Sequence, residues 1–236
     1  MQNRLKELRR KIKSLSNPEV SRTMQWFFKT GKGDYGEGDV FVGLKVPTQR
    51  KLAHEFKDLT LTYIKILLNS PVHEERLISL FILVDKYQRS DDKGKEAIFS
   101  FYLKNRKGIN NWDLVDLSAP KIIGKHLLKK DKSLLIKFAL SKNLWERRIA
   151  VLSTYEFIRN DDFALTLQIA EILLQDDHDL IHKAVGWMLR EIGKKDLQAE
   201  ENFLKISYKK MPRTMLRYAI EKFPEIKRIK YLQGKI

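Results

Sequence analysis

The sequence predicts an all-α protein, built as a stack of short helix pairs joined by tight turns. Two observations carry this expectation. Apolar residues recur at spacings of three and four nearly throughout, as in Leu77, Phe81 and Val84 or in Ile149, Leu152 and Tyr155. That is the period of a helix with one buried face. Strand-like alternation competes with it over no useful length, and 11 Gly and 6 Pro in 236 residues leave little room for β-turns.

From residue 58 the pattern repeats as a short helix, a tight loop and a longer helix. The longer helices are expected near residues 72–87, 110–128, 144–158, 179–192 and 212–223. Aligned by apolar register, they place Arg76, Asp116, Arg148, Lys183 and Arg217 at one equivalent position, roughly 32 to 40 residues apart. Such a period belongs to superhelical solenoids of HEAT-like helix pairs, in which each pair buries its apolar faces against its neighbours. The chain therefore reads as one repeat domain over 1–236, with N-terminal helices in 1–57, helical-pair repeats in 58–223 and a tail in 224–236. A small rotation per repeat would line a concave groove with the longer helices. Four of the five aligned residues are cations, which would make that groove basic. The alternative is that each arginine staples its own repeat.

The one irregular stretch is GKGDYGEGDVFVGLKV (31–46), which holds five of the eleven glycines. Its glycine spacing matches neither a phosphate-binding loop nor a dinucleotide fingerprint, and no strand precedes it. It reads as a loop, serving either as a connector or as a contact for phosphate.

Composition narrows the class of function. With 46 Lys+Arg against 30 Asp+Glu the formal charge is +16, which attracts polyanions, although a merely solvated basic surface gives the same number. There is no cysteine, which excludes disulfides, thiol catalysis and Cys-ligated zinc. No apolar run approaches the ~18 residues of a membrane span, and no signal-peptide core opens the chain. The opening NRLKELRRKIKSL is a basic amphipathic helix that suits docking on a neighbouring helix as well as a membrane surface. A cytoplasmic, nucleoid-associated protein is expected.

Asp116 is the anomaly of the aligned set, a lone carboxylate among cations. Trp112 lies one turn before it on the same helical face, Trp187 lies one turn after Lys183, and Trp145 lies three residues before Arg148. Any one tryptophan on a helix is more often core than site, but three beside aligned residues point to a patch. Pro120 follows Asp116 by four residues, so its ring clashes with the carbonyl of residue 116. Either the helix kinks there, or it ends at Ala119 and a new one begins.

On a DNA-binding face, indole rings attract a cationic group at roughly 0.5–2 kcal/mol each. A carboxylate between them stabilises positive charge on a sugar as its glycosidic bond breaks, and orients the attacking water. An arginine such as Arg148 would hold a flanking phosphate. A nucleotide whose purine carries positive charge through alkylation fits this arrangement, because the base leaves readily without a metal or a strong acid.

The stretches NNWDLVDLSAP (110–120), LWERRIAVLSTY (144–155) and IHKAVGWMLREIGKK (181–195) resemble the AlkD-like DNA alkylation-repair glycosylases, as does the opening TMQWFFKTGKGDYGEGDVFVGLKVP (23–47). The resemblance spans nearly the whole chain. It implies a HEAT-like repeat protein that excises N3- and N7-alkylated purines from double-stranded DNA by hydrolysis, with no metal or other cofactor and without flipping the base into a pocket. It places the family's catalytic aspartate on Asp116, its lesion-facing tryptophans on Trp112 and Trp187, and its phosphate-contacting arginine on Arg148. Phe27 stands where the family has a tyrosine, which keeps the packing and puts in doubt any hydrogen bond from that position. DNA contacts are expected from Arg76, Arg148, Lys183, Arg217 and Phe27, with Lys194 and Lys195 extending the footprint.

Other signals are weaker. His178 and His182 share a helical face, but neither an HExxH pattern nor an obvious third ligand accompanies them. No Ser or Thr pairs with a plausible His and carboxylate, so nucleophilic ester or peptide hydrolysis has no support. Two rival readings use the same scaffold: a non-catalytic binder of damaged or branched DNA, and a HEAT-type protein-interaction module. No membrane partner and no obligate protein partner are expected.

Overall fold

A computed structural model describes residues 2–236. Among them the protein is all-helical, apart from a single parallel bridge between Val40 and Val72. The chain forms two compact units, the first ending at Ser118 and the second beginning at Ala119.

The first unit holds α1 (Gln2–Ser14), α2 (Pro18–Phe27), α3 (Val46–Glu55), α4 (Leu61–Leu68), α5 (His73–Arg89), α6 (Asp92–Asn105) and α7, which runs Trp112–Ala119. The apolar stripe of α1, Leu5, Leu8 and Ile12, is buried. Arg4 reaches Asp58, and Arg9 grips the buried Glu75 with two hydrogen bonds of 3.0 and 2.9 Å. The basic opening segment is thus docked within its own unit, and Arg9 serves there as a staple. Asn17 caps α2 by accepting from the Glu19 and Val20 amides, with Pro18 pre-set for the first turn. Helix α5 is the unit's core and packs against α3, α4 and α6. Leu77, Ile78, Ile82 and Leu83 are fully buried on it, which is why its apolar pattern runs almost all the way round.

The glycine-rich segment is a loop, as expected, and its fold depends on a carboxylate. Glu74, wholly buried, accepts from the backbone amides of Val42, Gly43 and Leu44 at 3.0, 2.8 and 3.2 Å. Gly43 sits at φ 86°, and a side chain there would collide with the Asn17 carbonyl.

In the second unit a π-helical turn, Pro120–Gly124, directly follows α7. Pro120 neither simply ends the helix nor simply bends it. Lacking an N–H for the carbonyl of residue 116, it is accommodated by a wider turn of helix. After the short α8 (Lys125–Leu127) come α9 (Ser133–Ala139), α10 (Leu144–Arg159), α11 (Ala164–Ile172), α12 (Asp179–Gly193), α13 (Leu197–Ser207), α14 (Arg213–Ala219) and α15 (Glu225–Gln233). Helix α12 packs between α10 and α14, while α9, α11 and α13 supply the short partners. Gly186 allows the closest approach: a Cβ there would run into the Met215 carbonyl and lie 2.6 Å from the Tyr218 Cβ.

The last segment departs from the expected tail. Residues 225–233 form α15, whose buried Tyr231 packs edge-on against Tyr208 and Phe223 with ring centres 5.3 and 5.6 Å away. Gly234, left-handed at φ 72°, closes it.

Candidate active site and nucleic-acid interface

Trp112 opens α7 and Asp116 lies one turn later, so backbone geometry alone puts indole and carboxylate on one face. Both are partly exposed. The Trp112 ring stacks on Phe28 with centres 5.1 Å apart and planes at 8°, and it meets Phe27 edge-on at 6.0 Å. Phe27 is 56% exposed. The structure therefore brings together three of the residues singled out from sequence: Phe27, Trp112 and Asp116. Behind Asp116, the buried Tyr102 hydroxyl lies 2.9 Å from Ser118 Oγ. Burial first, and then the charge of Asp116, push the Tyr102 pKa upward.

Sequence reasoning missed the support beneath this patch. His73, on α5, is 1% exposed and bridges two buried carboxylates, with Nδ1 3.1 Å from Asp39 and Nε2 2.8 Å from Asp113. Arg76 donates to Asp39 at 2.6 Å and to the Ser70 carbonyl at 3.0 Å, and Asn111 donates to Asp39 at 3.0 Å. Phe41 stacks on the His73 ring, centre to centre 4.5 Å, and Phe28 lies on it at 5.1 Å. Burial alone would lower the His73 pKa. The charge of Asp113 and the bonds to Asp113 and Asp39 outweigh burial, so the imidazolium is favoured. Burial would likewise raise the Asp39 pKa, and His73 and Arg76 pull it below the usual carboxylate range.

Arg76 is thereby placed in the interior, 4% exposed, as the staple that was the alternative to a groove contact. Its position in the first turn of α5, next to His73, was the only sequence signal for this.

The second unit carries the remaining candidates. Arg148 on α10 is 5% exposed and bonds to the carbonyl of Leu180. Seven residues later Tyr155 lies 6.3 Å from the Trp187 ring of α12. Both of these contacts between α10 and α12, Arg148 to the Leu180 carbonyl and Tyr155 to Trp187, pair residues 32 apart. Trp187 is partly exposed, and its Nε1 donates to Glu191 at 3.0 Å. Lys183 pairs with Asp179 at 2.7 Å, Lys194 with Glu191 at 2.6 Å and Lys195 with Asp161 at 3.1 Å. Arg217 is exposed on α14. Trp145 begins α10, its amide held by the Asn143 cap. His178 and His182 are occupied with helix geometry. His178 Nδ1 accepts from the Leu180 amide, and His182 Nε2 bonds to the Asp176 carbonyl.

An all-helical protein of stacked pairs, with a half-exposed carboxylate and indole on one helix and a wealth of basic side chains, narrows the class. The family model for DNA alkylation repair enzymes matches residues 8–223. The chain belongs to that family. A solved structure described as a predicted DNA alkylation repair enzyme from Enterococcus faecalis is similar in fold, with a TM-score of 0.70 at 19% identity. The match covers 89% of this chain and 97% of the other. No curated protein matches the chain.

Proposed function

We infer that the protein is a DNA glycosylase that hydrolyses the N-glycosidic bond of cationic N3- and N7-alkylated purines in duplex DNA. Membership of the alkylation-repair family supports the substrate class, and the pairing of Trp112 with Asp116 on α7 supports the chemistry. In this reading Asp116 stabilises the oxocarbenium-like sugar as the bond to the base breaks, and it orients the water that attacks C1′. The departing base takes both bonding electrons. Its alkylation charge is neutralised as it leaves, so no acid is needed to protonate it. Trp112 faces the cationic nucleotide and its deoxyribose, Phe27 contributes packing, and within the second unit Trp187 is read as a further DNA-facing ring. Arg148, 5% exposed and bonded to the Leu180 carbonyl, has to swing outward from that bond to hold the backbone. Lys183, Arg217, Lys194 and Lys195 add phosphate contacts, exchanging their present carboxylate partners where they have them.

Release of 7-methylguanine and 3-methyladenine from methylated duplex DNA tests the reading. Wild type is expected to release both. Asp116→Asn is expected to lose about 100-fold or more in rate, with DNA affinity little changed. Tight DNA binding without base release by wild type would replace the reading with that of a non-catalytic DNA binder.

A further inference from the structure

The fourth tryptophan stands outside the site described above. Trp26, on the last turn of α2, is 82% exposed. Arg22 precedes it by one turn, and both are on the exposed side of the helix. Lys29 follows at φ 50°, a left-handed backbone that a lysine rarely adopts. Its amide donates to the Trp26 carbonyl at 3.2 Å, and its own carbonyl accepts from the Gly36 amide at 3.1 Å. The glycine-rich loop thus fixes where the chain turns after the indole. Arg22, Gln25, Trp26, Phe27 and Lys29 line one open cleft of about 770 Å³, which also carries a single carboxylate, Asp34.

Isolated exposed apolar side chains are ordinary. An indole bare over four-fifths of its surface, adjoining a half-bare phenylalanine and flanked by two cations, is not an isolated case. A flat π-face between positive charges suits a nucleotide chain, with the ring against a base and the cations against the phosphates. Charge favours this over a protein ligand, since two cations meet one carboxylate in the cleft and the whole chain carries +16. The cleft also adjoins the candidate site, because Phe27 lines it and touches Trp112.

We propose that Trp26 stacks on an unpaired base of single-stranded or locally opened DNA, with Arg22 and Lys29 on the flanking phosphates. The inference rests on the DNA-repair reading for its class of ligand, but not on base excision. It gives the first unit a second aromatic contact, one that recognises unstacked bases rather than alkyl charge.

The test is fluorescence anisotropy with a labelled oligothymidylate about 12 nucleotides long, within the span of known single-strand sites. Trp26→Ala is expected to weaken binding about tenfold, and Trp26→Phe to restore most of it. The Arg22→Ala, Lys29→Ala double variant is expected to lower the salt slope by about 1.4 units, for two single-strand phosphates. Circular dichroism of each variant checks that the fold is kept. Equal single-strand affinity for wild type and Trp26→Ala overturns the proposal, and would leave the ring to a protein partner. Base release from methylated duplex is scored separately on wild type. Weakened single-strand binding by Trp26→Ala supports the proposal even if wild type releases no base, and unchanged binding sinks it even if base is released.

Discussion

The imidazole of His73 lies 2.8 Å from the carboxylate of Asp113, both buried, and Asp113 directly follows Trp112 at the start of α7. The helix that presents Trp112 and Asp116 is thereby tied to α5 through an ion pair, and to the glycine-rich loop through Asp39 on the other side of the ring. In the glycosylase reading His73 is a positioning residue, holding α7 without touching the substrate. Replacing it by Ala leaves the buried Asp113 without its ion-pair partner and Asp39 with only Arg76 and Asn111, and is expected to cost about 3 kcal/mol, whereas Gln, which still donates, costs less.

The pH dependence follows in sign. A histidine whose folded pKa is raised above its ordinary 6.5 adds stability that is complete below that value and is lost as pH rises through the folded pKa. The gap in unfolding free energy between wild type and His73→Gln is therefore expected to narrow above pH 6.5. Denaturant melts at several pH values check this. A gap that widens with pH would contradict the charged bridge.

Arg148→Ala is expected to weaken duplex binding and lower the salt slope by about one unit. It also removes the bond to the Leu180 carbonyl at the start of α12. Amide exchange should therefore speed up over the first turn of that helix, an effect a purely external phosphate contact would not produce.

Gly186→Ala places a methyl group against the Met215 carbonyl and the Tyr218 side chain. Overpacking of this kind costs about 2 kcal/mol. Because Trp187 is the next residue, the variant is also expected to alter the near-ultraviolet circular dichroism of the tryptophans. Thermal unfolding measures the first effect directly.

Burial, followed by the charge of Glu201, pushes the Glu200 carboxyl up to about 8. An acid whose folded pKa is raised removes stability as pH rises from its ordinary value of 4.5 to 8. Glu200→Gln is expected to raise Tm at pH 8 by about 5 °C, with the gain vanishing below pH 4.5. An equal gain at both pH values would mean that packing rather than charge is responsible.

The all-helical fold and the Trp112–Asp116 pair were legible because both follow from helical spacing within short windows. The supporting cluster was not, since Asp39, His73, Arg76, Asn111 and Asp113 come from separate elements, and nothing local marks a polar residue as buried. His73, Glu74, Glu75 and Arg76 form a run that reads as a solvated first turn, yet all four are inside. Helix α15 escaped notice for a related reason: Tyr231 is its one buried residue, so its segment shows little apolar stripe. Trp26 was visible as a residue, but periodicity says which side chains share a face and not whether anything covers that face.

The carboxylate of Glu74 has a consequence for the loop it organises. Three backbone amides that converge there could serve an anion from solution, yet they already hold one supplied by the same polypeptide. A phosphate would have to displace a ligand that never diffuses away, so the loop between α2 and α3 behaves as a satisfied joint and not as a nucleotide cradle. Its shape is accordingly expected to be insensitive to ionic strength, because the anion it folds around is part of the chain.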